Sequence, residues 1–422
     1  MKSFSPKLGV YTSLTAVGLV AALVTRRPEL AVLAAPFGLM LVLALGAARR
    51  PDVRVAPRLE RDRVLEGDEL ELAVDVYART PAPRVEVRVD LPPDLELVDG
   101  DNPLALSLDH DEERELVYRV RCSRWGAWTL GPVHLRFRDN LGLVAWEQTV
   151  EWHEPLRAYP RPEALRELVR PRETQVFAGN RVAREKGEGL EFADLRPFYA
   201  GDRMRRINWR ASARRNELWV NEYHAERNAD VVIFLDSFAE ARRHGRGTID
   251  AAVRAAAALT EQYLAHKDRV GLVNFGGVLR WLRVESGLVQ LYRIVDSLIS
   301  TEVMLSYAWK GVDVLPARTL PPKALVLALT PLLDERGVNA MLDLRARGFD
   351  LAVVEVSPLP FVAPPQSAEQ KLAQRLWRLR REARRADYER AGVAVVEWTD
   401  DAPLAAAIEE VGAFRRRALA RA

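Results

Sequence analysis

Three carboxylates with the potential for chemistry lie within one short stretch of the chain, at Glu191, Asp194 and Asp202. Paired carboxylates can perform general acid–base catalysis when a cleft shifts their pKa values. Here arginines and aromatic side chains surround them, and no substrate-positioning motif accompanies them. A network of ion pairs and aromatic contacts that fixes the local fold has the most support. A partner-binding surface with arginine and tryptophan anchors has less support, and catalysis has the least, so the chain is predicted not to be an enzyme.

The rest of the composition argues against several other classes of chemistry. No Walker A loop, GxGxxG fingerprint or GxSxG elbow is present, which argues against nucleotide or ester hydrolysis. The six histidines are scattered singly and Cys122 is the only cysteine, so zinc-site spacing and an intramolecular disulfide are both missing. The 62 basic residues are balanced by 59 acidic ones, unlike the composition of a nucleic-acid-binding protein. No cofactor is predicted.

Two uncharged apolar runs, over 8–25 and 30–48, predict a transmembrane helical hairpin within 1–50. Each run is close to the roughly 20 residues that a helix needs to cross a bilayer. A cleavable signal peptide is the alternative, but its apolar region is shorter and is not followed by a second span. Basic residues flank the hairpin: Lys2, Lys7, Arg49, Arg50, Arg54 and Arg58. The positive-inside rule then predicts a multi-pass protein of the cell membrane with its soluble domains in the cytoplasm.

Residues 51–160 are predicted to form an antiparallel β-sandwich of immunoglobulin-like type. Apolar residues alternate with charged ones, as at Leu70, Leu72 and Val74, which places one face of each strand in a core. Turns rich in glycine, proline and aspartate punctuate the strands at a spacing typical of sandwiches. No polar cluster in this region suggests chemistry, so we interpret it as a spacer or docking module.

Beyond residue 229, predicted strands and helices alternate. Strands are predicted over 230–235, 269–275, 324–329, 351–356 and 393–398, and helices over 248–267, 288–300, 335–347, 368–391 and 403–419. Continuous apolar strands separated by helices indicate a doubly wound, mostly parallel α/β sheet over 230–422. The preceding segment, 161–229, is predicted to be a linker with one short helix within 163–186, followed by the block of charged and aromatic residues.

The block over 189–214 is the most distinctive part of the sequence. It reads GLEFADLRPFYAGD and continues through RRINW to ASAR, while RWGAWTLGPV and RDNLGL lie upstream at 124–133 and 138–143. These motifs resemble the signature of the bacterial domain of unknown function 58 family, and the resemblance covers most of the chain. The candidate site residues, structural or partner-binding, are Glu191, Phe192, Asp194, Arg196, Tyr199, Gly201, Asp202, Arg206, Asn208, Trp209, Ser212 and Arg214. Within the block, Asp202 is predicted to lie in a turn and to cap the following helix.

The start of the α/β region carries a second resemblance. An apolar strand that ends in Asp236, followed by the run at 268–275, looks like the opening of a von Willebrand factor A domain. Such domains hold magnesium or calcium at the carboxyl ends of their strands. Their ligands are the hard oxygens of an Asp-x-Ser-x-Ser loop and of a later Thr and Asp.

That ion site is degenerate in this sequence. Phe238 and Glu240 replace the two serines. The strand that should end in the later aspartate ends in Thr330, and Asp334 lies four residues beyond it, too far to serve. The ligands that remain are Asp236 and Ser237. Since two protein ligands make a weak magnesium site, no metal is predicted, and a divalent-metal-dependent binding protein with a residual site at Asp236 is the alternative function.

Together these features predict a membrane-anchored, protein-binding adaptor or scaffold. The family resemblance implies a biochemical role that is not settled and frequent association with MoxR-type AAA+ ATPases. The sandwich and the α/β domain would supply protein-binding surfaces, and the ATPase would supply the energy. The predicted partners are therefore the lipid bilayer and a MoxR-type AAA+ ATPase, with no nucleic acid.

The long helix predicted over 368–391 is strongly basic. It also carries an apolar stripe at helical spacing: Leu372, Leu376, Leu379, Ala383 and Ala386. The stripe is predicted to pack on the sheet and to leave the arginines in solvent. Contact of the basic helix with anionic lipid headgroups is the alternative.

Overall fold

The chain divides into two compact units, Met1–Tyr159 and Pro160–Ala422. The computed structural model describes residues 2–47, 49–139, 141–163, 165, 167–171, 182–199, 202, 204–226, 229–303 and 320–419. For 2–4, 47, 182–193, 206, 222–226 and 419 it describes the backbone. The finer division into four segments stays a prediction.

Two apolar helices, α1 (Pro6–Thr25) and α2 (Pro28–Ala47), open the first unit. The Ser5 hydroxyl caps α1 by accepting the Lys7 backbone N–H. Both helices are long and apolar enough to cross a membrane. They approach closely at Gly18, where a Cβ atom would lie 2.5 Å from the Ala34 Cβ, as small residues allow in paired membrane helices. The two predicted helices are confirmed, with bounds moved by at most two residues.

The other elements of the first unit are strands. They are β1 (Lys2–Phe4), β2 (Val53–Leu59), β3 (Arg63–Leu65), β4 (Glu69–Ala78), β5 (Ala82–Val89), β6 (Leu95–Asp99), β7 (Leu104–Leu108), β8 (Glu112–Cys122), β9 (Gly126–Leu130), β10 (Val133–Arg138), β11 (Val144–Val150) and β12 (Glu154–Tyr159). They form sheets in the orders β1-β11-β10-β5-β7, β2-β4-β8-β6 and β3-β12-β9. The antiparallel sheets confirm the prediction, whereas β1 and the parallel pairing of β3 with β12 depart from it.

The period-two pattern of the sequence explains how two of these sheets pack. On β4, Leu72, Val74 and Val76 are fully buried, while the residues between them face outward or lie half-buried. They share one core with Val87 of β5 and Phe137 of β10, which belong to the opposite sheet. Burying each such side chain contributes roughly 1.5–3 kcal/mol. The two sheets are thus held face to face by the alternation itself.

The second unit begins with an extended segment and a strand pair. Residues 160–171, where described, contain no helix; 172–181, the rest of the predicted linker helix, lie outside the described residues. Three prolines in 160–171 remove backbone donors that a helix needs. The segment is held instead by hydrogen bonds: the Tyr263 hydroxyl donates to the Val169 carbonyl at 2.7 Å, and the Leu404 N–H donates to Glu163 Oε1 at 2.8 Å.

The signature block folds as two antiparallel strands joined by helical turns. The strands are β13 (Val182–Pro197) and β14 (Trp219–Glu226), and β13 carries several bulges. A 3-10 turn (Met204–Arg206) and the short helix α3 (Trp209–Arg215) lie between them. The block is therefore built around an antiparallel strand pair whose register shifts at several points.

The remaining elements form an α/β layer structure. They are β15 (Asp230–Ser237), β16 (Arg242–Arg243), β17 (Arg246–Gly247), α4 (Thr248–Ala265), β18 (Arg269–Gly276), β19 (Arg280–Glu285), α5 (Leu288–Ile299), β20 (Leu325–Thr330), α6 (Glu335–Ala346), β21 (Asp350–Val356), α7 (Ala368–Arg390), β22 (Ala394–Trp398) and α8 (Leu404–Leu419). Six strands make one sheet in the order β19-β18-β15-β20-β21-β22, parallel except for β19. The predicted mostly parallel sheet is confirmed, with β19 added at one edge.

Helix α7 packs inward with the face opposite to the one predicted. Leu372, Leu376 and Leu379 are 59%, 52% and 52% exposed. Arg381 is buried instead, because its guanidinium pairs with Glu355, a fully buried residue of β21. The periodicity of the sequence identified the two faces of this helix correctly. It could not show which face lies inward, because that depends on the buried Glu355 carboxylate.

Candidate functional site

Arg196 and Asp202 close the turn that follows β13. Arg196 Nη1 and Nη2 donate to Asp202 Oδ2 and Oδ1 at 2.6 and 2.7 Å. Oδ2 also accepts the backbone N–H of Tyr199 at 2.8 Å, and the guanidinium carbon lies 5.5 Å from the centre of the Tyr199 ring. A bidentate pair fixes orientation as well as distance. The predicted turn at Asp202 is present, but Asp202 is not the cap of α3.

Asn208 caps the helix instead. Its Oδ1 accepts the Ala211 N–H at 3.0 Å, and its Nδ2 donates to Asn221 Oδ1 on β14 at 2.8 Å. The Ser212 hydroxyl donates to the Asn208 carbonyl at 2.8 Å and accepts the Trp219 N–H at 2.9 Å. Asn208 and Ser212 therefore tie α3 to β14, which explains why an amide and a small hydroxyl residue occupy these positions.

Other members of the block face outward. Tyr199, Met204 and Trp209 are 64%, 71% and 65% exposed, and the side chains of Arg210 and Arg214 are exposed as well. Exposed aromatic side chains beside arginines are enriched where proteins bind one another. The block thus separates into residues that build its fold and residues that the fold displays.

Several predicted site residues have little or no described structure. Gly201 lies outside the described residues, as do the side chains of Glu191, Phe192 and Arg206. Asp194 is exposed and accepts the backbone N–H of Leu195 at 2.8 Å. The predicted functional role of the block as a whole stays a prediction.

A second polar cluster lies where the central strands of the six-stranded sheet end. The Asp236 carboxylate is buried and accepts the Thr330 hydroxyl at 2.7 Å and the Phe238 N–H at 3.2 Å. Thr330 in turn accepts the Leu332 N–H at 3.0 Å. Gly337 of α6 allows the helix to approach, since a Cβ atom there would lie 2.6 Å from Asp236 Oδ2.

The electrostatic environment makes Asp236 a weak acid for its type. Burial raises its pKa to about 6, although its two hydrogen bonds act in the opposite direction. The negative charge of Asp334 raises this pKa further and the positive charge of Arg336 lowers it. Asp334 itself caps α6 and pairs with Arg336 at 2.9 Å, which lowers the pKa of Asp334.

These residues do not fit a divalent cation. The Thr330 hydroxyl donates a hydrogen bond to Asp236. The buried Phe238 ring lies 4.8 Å from the centre of the Phe275 ring and 4.2 Å from the Arg336 guanidinium carbon. Glu240 is ion-paired with Arg242 at 2.9 Å. In the described part of the chain, no group of three or more His, Cys, Asp or Glu side chains is arranged to hold a metal. The cluster therefore carries its own positive charge in place of an ion.

A buried polar chain continues from Ser237 at the same sheet edge. The Ser237 hydroxyl donates to Asn274 Oδ1 at 2.6 Å, and Asn274 Nδ2 donates to the Thr301 hydroxyl at 2.9 Å. This chain links the ends of β15 and β18 to the end of α5. Sequence reasoning missed Asn274 and Thr301, and the one available signal was a polar residue within an otherwise apolar strand.

Comparison with known proteins relates part of the chain to a known family. Residues 194–394 match the model of the family described as "Protein of unknown function DUF58". This part of the chain is therefore similar to the DUF58 family. It is also 21% identical over 224 residues to the uncharacterized protein YeaD of Bacillus subtilis (strain 168). That alignment covers 52% of this chain and 55% of YeaD, so the chain spans about half the length of the curated relative it matches.

Two of the solved structures that are similar to this chain cover 26% and 30% of it. The CARDB domain of the PF1109 protein from Pyrococcus furiosus matches with a TM-score of 0.17 and 16% identity, over 26% of this chain and 88% of that domain. An Escherichia coli alpha-2-macroglobulin fragment matches with a TM-score of 0.22 and 20% identity, over 30% of this chain and 20% of the fragment. Likenesses this low carry no conclusion about the fold or the function of this chain.

Proposed function

We propose that this DUF58 protein is a membrane-anchored scaffold that binds another protein through the exposed face of its signature block. The observation that carries the proposal is that some residues of the block build its fold and others are exposed on its surface. Arg196, Asp202, Asn208 and Ser212 are engaged in hydrogen bonds that build it, while Trp209 and its neighbours are presented to solvent. A fold that keeps a tryptophan 65% exposed beside arginines has the composition of a binding hot spot.

The α/β unit is proposed to be a von Willebrand factor A-like domain that has lost its ion. Numbered along the chain, its strands lie in the order 3-2-1-4-5-6, with strand 3 antiparallel. In such an open sheet the switch point falls between strands 1 and 4, here β15 and β20, where Asp236 meets Thr330. With the Arg336 charge close by, this edge supports a protein-binding role better than a metal-dependent one.

The membrane anchor is proposed to be the α1–α2 hairpin, with both soluble units in the cytoplasm. Two adjacent helices of the required length and apolarity support the anchor. The basic residues that flank the pair support the orientation.

The proposed partner is a MoxR-type AAA+ ATPase, which the family resemblance implies. Affinity-tagged full chain captured from detergent-solubilised membranes should recover an AAA+ ATPase. Trp209→Ala should lower the recovery at least tenfold, because a hot-spot tryptophan contributes about 2 kcal/mol or more. Trp281→Ala is the matched control, since Trp281 is 49% exposed on β19. Repeated absence of an AAA+ ATPase, or equal loss with both variants, would contradict the proposal.

A further inference from the structure

Helix α7 carries an apolar stripe that the domain leaves uncovered. Its inward face contacts α6 and the loop between β20 and α6: the Tyr388 hydroxyl donates to the Val338 carbonyl at 3.1 Å, Arg384 donates to the Leu332 carbonyl at 3.0 Å, and Arg381 donates to the Pro331 carbonyl at 2.9 Å. The opposite face is exposed along its whole length: Leu372, Leu376, Leu379, Ala383 and Ala386. Large apolar side chains aligned in this way mark a surface that another molecule covers.

The spacing of the stripe is that of a coiled coil. Its members are separated by four, three, four and three residues, which is the a/d repeat of two-stranded helical packing. In that repeat Leu376 and Ala383 take the a positions, and Leu372, Leu379 and Ala386 take the d positions. The occupant that such a seam accepts is a second α-helix.

The flanking charges identify which helix it is. Arg375 and Glu382 occupy successive g positions, and Arg380 and Asp387 occupy successive e positions. In a parallel pair, g residues meet the e residues of the following heptad. Arg375 would then face Arg380 of the second copy, and Glu382 would face Asp387. Every such contact is a like-charge repulsion, so a parallel pair is disfavoured.

An antiparallel pair reverses that outcome. When Leu376 packs on Leu379 of the second copy and Leu372 packs on its Ala383, each Arg375 lies opposite Glu382 of the other copy. Shifting this register by one heptad in either direction places like charges opposite each other, Glu382 against itself or Arg375 against itself. Among the described residues neither Arg375 nor Glu382 has a hydrogen bond or ion pair, so both are available. The helix is thus complementary to itself in one antiparallel register.

We infer that α7 forms a homodimer with α7 of a second copy of this chain, in that antiparallel register. The seam over 372–383 is about 18 Å long, which is short for a coiled coil. It suits a dimer that is weak in solution and strengthened wherever both copies are confined near each other.

Charge exchange in the full chain, in detergent, tests the register. Sedimentation equilibrium should show a monomer–dimer equilibrium for the unsubstituted chain. Arg375→Glu should raise its dissociation constant at least about tenfold, since two attractive pairs become repulsive. The double variant Arg375→Glu/Glu382→Arg should restore dimerisation, because the pairs are re-formed with exchanged signs. Arg378→Glu is the matched control, since residue 378 lies outside the seam, and it should leave the equilibrium within about twofold of the unsubstituted chain.

Each other result counts against the inference in a different way. A full chain that stays monomeric at every accessible concentration would overturn the inference. Equal weakening by Arg375→Glu and Arg378→Glu would indicate a general charge effect, as expected for an anionic lipid surface, and would also overturn it. Failure of the double variant to recover would exclude this register. The proposed ATPase contact is read out separately through Trp209, so either proposal can fail alone.

Discussion

The Thr330 hydroxyl donates a hydrogen bond of 2.7 Å to the buried carboxylate of Asp236 and so joins the ends of two neighbouring parallel strands. This bond occupies the sheet edge at which open α/β domains hold their ligands. The nearest charges, Asp334 and Arg336, belong to the start of α6 and are paired with each other. The edge is therefore a self-contained polar cluster, and its behaviour with pH and with metal ions is predictable.

Asp236→Asn should change the dependence of stability on pH. The folded pKa of Asp236, about 6, lies above the ordinary aspartate value of 3.8, so its stabilising contribution is present below about pH 4 and is lost as the pH rises through 6. The variant lacks this loss. Its unfolding free energy relative to the wild type should therefore rise by up to about 3 kcal/mol between pH 4 and pH 8, as measured by calorimetry on the full chain.

Asp334→Asn is the control with the opposite sign. The pKa of Asp334 is lowered, first by the hydrogen bond from Arg336, so its contribution is present above the unfolded pKa and is lost as the pH falls. Asparagine keeps the helix cap.

The prediction for Asp236→Asn is contradicted if the difference in unfolding free energy between this variant and the wild type does not change with pH. That result would show that the Asp236 carboxylate is not buried as described.

Glu355→Gln should be severely destabilising. This fully buried carboxylate pairs with Arg381 and Arg385, and Arg385 continues to Glu397 at 2.7 Å. Removing the charge leaves buried arginine uncompensated, which costs about 3–5 kcal/mol. Thermal unfolding of the full chain measures the loss.

Glu335→Gln is the matched control for that prediction. Glu335 of α6 pairs with Arg384 of α7 at 3.2 Å, but the Glu335 side chain is 81% exposed. Such a pair contributes less than about 1 kcal/mol. Similar losses in Glu355→Gln and Glu335→Gln would contradict the buried position of Glu355.

Cysteine labelling should report the proposed orientation of the hairpin. The native Cys122 is fully buried, and burial raises its pKa to about 11, so it is unreactive at neutral pH. A cysteine placed by Arg27→Cys, between the two helices, should react with a membrane-impermeant maleimide in intact cells. Arg63→Cys, exposed on β3, should react only after permeabilisation. Labelling of Arg63→Cys in intact cells would reverse the proposed topology.

The sequence predicted the elements whose signal is periodic or continuous apolarity. The fully buried runs of β15 and β20 and the alternation of β4 are of this kind. Edge strand β19 escaped detection because most of its side chains are exposed. Strand β1 escaped because three residues have no measurable period.

The candidate site was predictable by residue type and not by pairing. The block at 189–214 and the loss of the ion-binding hydroxyls are visible in the sequence. Which of Asp202 and Asn208 caps α3 depends on the distance that Arg196 spans to reach Asp202, a tertiary property. The inward face of α7 likewise depends on Glu355, which precedes Arg381 by 26 residues in the chain.

The polar groups at the sheet edge around Asp236 hydrogen-bond to one another, and we propose that this edge takes up no divalent cation. Calorimetric titration of magnesium, calcium and manganese into the full chain in detergent tests it most directly. We expect no saturable heat at millimolar metal from the wild type, with Asp236→Asn giving the same trace. Saturable one-to-one binding by the wild type that Asp236→Asn abolishes would contradict the claim.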